Sequence, residues 1–183
     1  MLASQSNLAN SHNELGRHEE AMNIYRDVYS ARVKLNGEEH GSTLGAAANY
    51  ASCLGSLQRW EEVKDFLGPK ITVAQRVLGE SDMLTHRITL DHTVALYRLW
   101  GDGATVDNLR WMVNTLENME RTVRRVLGGA RSFTELLEHN LQYSRAALRA
   151  REGDEGGVEF ASFYAQWDFL WCGSERLATW VAL

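Results

Sequence analysis

Gly37-Glu38-Glu39-His40-Gly41-Ser42-Thr43 is the stretch on which the reading of this chain turns. It returns as Gly79-Glu80-Ser81-Asp82-Met83-Leu84-Thr85 and again as Gly128-Gly129-Ala130-Arg131-Ser132-Phe133-Thr134, each copy with a threonine six positions after its first glycine. The first glycines are 42 and then 49 residues apart. Self-similarity at a period of about 20 to 50 residues marks a repeat array, in which each unit supplies one piece of supersecondary structure. Gly37, Gly79 and Gly128 are expected in equivalent turns, each after the second helix of its unit.

Outward from that stretch, apolar residues fall at helical spacing. Residues 1–16 predict a helix with Leu8, His12 and Leu15 on one side, then a turn, Gly16-Arg17-His18-Glu19-Glu20. A second helix over about 18–36 is striped by Ala21, Ile24, Tyr25, Val28 and Leu35 and capped by Asn36-Gly37. The next unit repeats this, with a helix over about 42–57 marked by Leu44, Ala47, Ala51 and Leu54, and a turn from Gln58 to Glu62. Its second helix carries Val63, Phe66, Leu67, Ile71, Ala74 and Leu78. Pro69 lies inside that helix, removes a hydrogen bond and predicts a kink or break between Asp65 and Lys70. The third unit has a helix over about 83–100, a longer turn around Gly101-Asp102-Gly103, and a helix striped by Leu109, Met112, Val113, Leu116, Val123, Val126 and Leu127. The fourth opens on Ser132-x-x-Glu135, a capping-box pattern, and runs to about Arg151.

The expected fold is all-α, a right-handed α-solenoid of antiparallel helix pairs. Residues 1–152 form the array, in units of about 1–40, 41–82, 83–131 and 132–152. Residues 153–183 are expected to form an atypical capping helix and tail, with Phe160, Phe163, Tyr164, Trp167 and Trp171 packed on Leu137, Leu141 and Leu148. In the other reading of the tail, Trp167, Trp171 and Trp180 face a second chain.

The bulk chemistry fits this plan. Of 183 residues, 44% are hydrophobic and 23% charged, ordinary values for a folded soluble domain. A net charge of −5 with interspersed signs argues against a nucleic-acid surface, which needs a concentrated basic face. Cys53 and Cys172 give no disulfide framework and read as free thiols in a reducing compartment, the cytoplasm. No apolar run is long enough for a membrane span, and the first residues lack the regions of a signal peptide. One proline in the chain leaves long helices without internal stops.

The recurring motifs are Asn7-Leu8-Ala9, Leu15-Gly16-Arg17-His18-Glu19-Glu20-Ala21 and Leu35-Asn36-Gly37-Glu38-Glu39-His40, with Asn49-Tyr50-Ala51 and Trp60-Glu61-Glu62-Val63 in the second unit. They resemble tetratricopeptide repeats of the 42-residue variety that looks like that of kinesin light chain. The resemblance covers roughly residues 1–152 and implies a stack of helix pairs that binds proteins. The family usually has proline after the histidine of the third motif, where this chain has Gly41; Asp91-His92-Thr93 stands in place of Asn-Leu-Ala. Met1 aligns with Thr43, so the chain is expected to begin at a helix start, as a fragment of a longer array or a short member with a bare first face.

In such stacks the first helices line the concave side. Asn7, Asn49, Asp91 and Asn140 recur there at offsets of 42, 42 and 49, and an asparagine amide both donates to and accepts from a peptide backbone. Peptide-binding relatives use this asparagine so, and the resemblance implies the same here. The competing reading has the ladder orient neighbouring helices. Asn10, Asn13 and Ser52 extend the polar lining. Arg87 sits one turn before Asp91, and an i,i+4 pair is favoured over a role toward an acidic ligand group. No histidine or cysteine has metal-site spacing, no glycine cluster has phosphate-loop spacing, and Glu19-Glu20 and Glu61-Glu62 are acids at helix starts. These readings predict no catalytic site, no cofactor and no metal. They point to a non-catalytic scaffold or adaptor that takes a protein or peptide partner in its groove, without nucleic acid or membrane. The alternatives are a self-associating array that uses its ends and tail, and a repeat domain of a larger enzyme.

Overall fold

A computed structural model of the chain describes residues 1–127 and 131–153. Among them run seven α-helices and no strand: α1 (Leu2–Glu14), α2 (His18–Asn36), α3 (Gly41–Ser56), α4 (Trp60–Leu78), α5 (Met83–Trp100), α6 (Val106–Leu127) and α7 (Arg131–Glu152). The fold is all-α, of the helical-repeat solenoid class. Gly101–Gly103 forms a 3-10 turn after α5. Gly128 and the aromatic tail lie outside the described residues, as does the Ser132 side chain of the capping-box pattern.

The period is written into the helix ends. Gly37 and Gly79 cap α2 and α4 at φ 82° and 98°, backbone conformations that side chains with a Cβ resist. The turn after α1 is closed by a bond from Arg17 N–H to the His12 carbonyl, and the turn after α3 by the equivalent bond from Arg59 N–H to Leu54, both 2.9 Å. The left-handed residue between them is Gly16 in the first turn and Gln58, at φ 57°, in the second. Arg17 grips Glu20 and Arg59 grips Glu62, each through Nε and a terminal nitrogen, at the first turns of α2 and α4. At the starts of α3 and α5, Ser42 N–H donates to His40 Nδ1 at 3.1 Å and Leu84 N–H donates to Asp82 at 2.8 Å. All of these pairs stand 42 residues apart.

The chain divides into two compact units, with Leu99 the last residue of the first unit's helices and Trp100 the start of the second. In the first, α1 packs on α2, α2 on α3 and α3 on α4. Its core joins Ala9, Tyr25, Leu44, Ala51, Leu54, Val63 and Leu67, and α5 contributes Leu84, Ile88 and Ala95. Small residues along α3 let its neighbours approach closely. Phe66 meets Tyr29 and Tyr50 edge to face, with ring centres 5.2 Å apart in both pairs. In the second unit α6 packs on α7, burying Leu109, Met112, Leu116 and Val123 against Phe133, Leu137, Leu141 and Ala147.

Four apolar residues placed on buried stripes by the spacing are exposed: Leu8, Leu15, Leu35 and Val126. On α1 the buried side is Ala9 and Asn13, turned from the Leu8 side by one position. Asn13 is buried because it ties the units of the repeat together. Its Oδ1 accepts from His18 Nδ1 at 2.7 Å and from the Cys53 thiol at 3.3 Å.

The break expected at Pro69 is absent: α4 is helical from Trp60 to Leu78. Pro69 and Asp65 lie on the exposed side of the helix. One turn on, the Lys70 ammonium donates to the Phe66 carbonyl at 3.2 Å and sits 3.9 Å from the Phe66 ring centre. Burial there lowers the Lys70 pKa, partly offset by Glu38.

Candidate functional site

The first unit holds an open groove of about 590 Å³. α1 supplies Asn7 and Asn10, α2 supplies Arg32, α3 supplies Gly45 and Asn49, and the start of α5 supplies Asp82 and Met83. The helical period brings these residues together, since successive turns of α1 and α3 place Asn7 with Asn10 and Gly45 with Asn49. Asn7 is exposed; Asn10 and Asn49 are half-buried. The Tyr25 hydroxyl donates to Asn10 Oδ1 and so orients that amide.

Behind the groove lies a recess of about 10 Å³, room for one water-sized oxygen. Asn10 and Asn49 line both spaces, and the recess adds Asn13, Glu14, Tyr25, Ser52 and Arg87. Asn49 Oδ1 is buried and has no hydrogen-bond partner. Ser52 is buried at the wall.

Arg87 ends this arrangement. Its side chain is 4% exposed, and none of its three nitrogens has a hydrogen-bond partner. Its counter-ion is Asp91, one turn along α5 and 5% exposed, with Nε to Oδ2 at 4.0 Å, an ion pair too long for a hydrogen bond. Burial raises the Asp91 pKa to about 7, against the opposing pull of Arg87. At the ladder position of the third repeat the structure therefore places a carboxyl that is neither solvated nor hydrogen-bonded to its cation.

Asn140, the fourth rung, belongs to the second unit, where it is 2% exposed and donates from Nδ2 to the Leu136 carbonyl of its own helix at 2.7 Å. Its amide serves α7. The structure thus brings Asn7, Asn10 and Asn49 to one groove, sets Ser52 and Asp91 beside the recess and its arginine, and leaves Asn140 in another unit. Sequence reasoning missed Arg32 and Tyr25, because it looked for lining residues only on first helices. The signal available was their position on the α2 face that also carries Val28, a groove residue. Among the described residues no group of histidine, cysteine and carboxylate side chains forms a metal site, and no helix is long and apolar enough to cross a membrane.

Residues 1–41, which span α1, α2 and the turn that follows them, match the tetratricopeptide repeat family. No curated protein matches the chain. Repeats of this family are typically non-catalytic and serve as protein-interaction scaffolds. The match over residues 1–41, with the turns, caps and ion pairs that return 42 residues later, supports a tetratricopeptide-repeat protein.

Proposed function

We propose that this protein is a non-catalytic cytoplasmic scaffold or adaptor that holds an extended segment of a partner protein in the groove of its first unit. The observation that carries the reading is the open groove itself, with the amides of Asn7, Asn10 and Asn49 along it. A peptide backbone alternates donors and acceptors, and an amide side chain answers both. The groove walls also carry Ala3, Gly45 and Ala46, small residues that let a backbone come close.

Peptides selected for binding to the intact chain provide the test. Asn49→Ala is expected to weaken them by about 1 kcal/mol or more, the usual worth of a hydrogen bond at a desolvated site. The helical circular-dichroism signal should stay unchanged. Unaltered affinity with Asn7 and Asn49 both replaced would assign the amides to the fold and remove the reading.

Exposed Leu8 and Leu15 on α1 favour a second reading, self-association through the outer face of the first repeat. Sedimentation of Leu15→Ser against the parent chain separates the two: a dimer lost on substitution supports association, and a monomer in both supports the groove.

A further inference from the structure

We propose that α7 pairs antiparallel with α7 of a second copy of this chain, over a cleft on the α6–α7 hairpin. The pairing is independent of the groove in the first unit and of the exposed α1 face. The cleft has a volume of about 470 Å³. Leu141 and Leu148 of α7 line it, with Glu138 toward the start of the helix and Arg145 and Arg149 toward its end. Leu141 is buried and Leu148 half-buried, so the cleft has an apolar floor between charged ends.

The exposed stripe of α7 beside that floor reads Glu138, Gln142, Arg145 and Arg149, at steps of four, three and four residues. Those steps are the same in either direction. A two-fold axis between Tyr143 and Ser144 therefore sets all four positions in register at once. Each Glu138 then faces Arg149 of the other copy, and each Gln142 faces Arg145. Self-complementary contact of this kind makes every pair twice and closes at a dimer. A parallel arrangement would set acid on acid and base on base, which is unfavourable. In the antiparallel register Leu141 of one copy lies two residues, about 3 Å along the axis, from the level of Leu148 of the other. The leucines of the two copies thus close over one another's clefts.

The ion pairs within the hairpin leave this stripe incomplete. Arg124 of α6 grips Glu138 and holds Glu120 at 2.9 Å, and Glu117 holds Arg145 at 2.6 Å. Arg149 is exposed and has no ion pair among the described residues. Arg124 takes Oε1 of Glu138, which leaves Oε2 for a second guanidinium. Glu152, next on the stripe, is held by Arg110 at 2.6 Å, so its charge is matched where Glu135 of the other copy approaches. Exposed ion pairs add little attraction one by one. Their pattern sets direction and register, and burial of the leucines drives the association.

Sedimentation of the full chain from about 1 µM to about 1 mM is the test. The wild type should pass from monomer to dimer with a dissociation constant between about 1 and 100 µM, since one helix pair covers less than the roughly 1,200 Å² at which stable complexes begin. Arg149→Glu sets acid on acid across the axis and should raise that constant at least about tenfold. Adding Glu138→Arg exchanges the two ends and should return it to within about threefold of the wild type. A monomer at every concentration overturns the proposal and leaves the cleft to residues 154–183 or to a different protein. A dimer unmoved by Arg149→Glu also overturns it, and if Leu15→Ser abolishes that dimer the association belongs to α1. A loss that the double exchange fails to restore, with its helical circular dichroism intact, overturns the antiparallel register. If the double exchange does not fold, disulfide cross-linking decides, in a Cys172→Ser background. Gln142→Cys lies beside the axis and should cross-link under mild oxidation at least about tenfold faster than Val126→Cys at the end of α6, because the two copies of residue 142 are only about 4.5 Å apart along the axis. Equal rates overturn the proposal.

Discussion

Asp91 occupies a position where the two preceding repeats have asparagine, and burial makes the exchange costly. A neutral amide loses little on entering the wall of a repeat stack; a carboxylate loses its hydration and keeps its proton instead. With its pKa near 7 in the fold and near 3.8 in the unfolded chain, Asp91 binds more protons when folded between those values. Its contribution to stability is therefore complete below about pH 4 and is lost as pH rises to 7. In urea titrations the stability of Asp91→Asn minus that of the wild type should rise across that window, by about 1–2 kcal/mol or more. A flat difference would mean that Asp91 ionises normally. The offset of Asn49 and Asp91 from Asn7 is plain in the sequence, and so is the i,i+4 spacing of Arg87. Their burial is not, because it depends on which side of α5 meets the neighbouring helices, and α5 is buried on most sides.

For whole helices, the 42-residue period located ends and turns well, since capping chemistry is local. The caps at Gly37 and Gly79 and the acids at the starts of α2 and α4 read directly from the chain; the ion pairs of Arg17 with Glu20 and Arg59 with Glu62 came from the structure. The buried stripes were less legible. α1 has few large apolar residues, and Leu8 and Leu15 suggest a stripe that tertiary packing replaces with Ala9 and Asn13. Pro69 shows the limit of a local rule: the expected break assumes that one lost N–H ends the helix, and α4 nevertheless runs on from Trp60 to Leu78. Restoring the N–H should still help. Pro69→Ala is expected to raise stability by about 1 kcal/mol, read as a higher melting temperature. Gln58 holds a left-handed conformation where the first turn has glycine, so Gln58→Gly should stabilise by about 0.5–1 kcal/mol. A lowered melting temperature in either variant would refute the corresponding argument.

At the scale of the molecule, a repeat stack is stabilised by neighbours, so damage stays local. Leu137 is fully buried between α6 and α7, and Leu67 is fully buried in the core of the first unit. Each truncation to alanine should cost about 2–4 kcal/mol. Hydrogen exchange should place the loss of protection from Leu137→Ala on α6 and α7, and that from Leu67→Ala on α3 and α4. Uniform loss in both variants would show a single cooperative block. The bond from the Cys53 thiol to Asn13 has a further use. It buries a sulfur, 0% exposed, at the joint between the first repeat and the second. A thiol there reacts with an aromatic disulfide reagent only while that joint is open. With Cys172 replaced by serine, the colour released by the reagent becomes a clock for the parting of the two repeats. If a ligand spans Asn7 and Asn49, it should slow that clock in proportion to its occupancy, which makes the chain a reporter of its own partners.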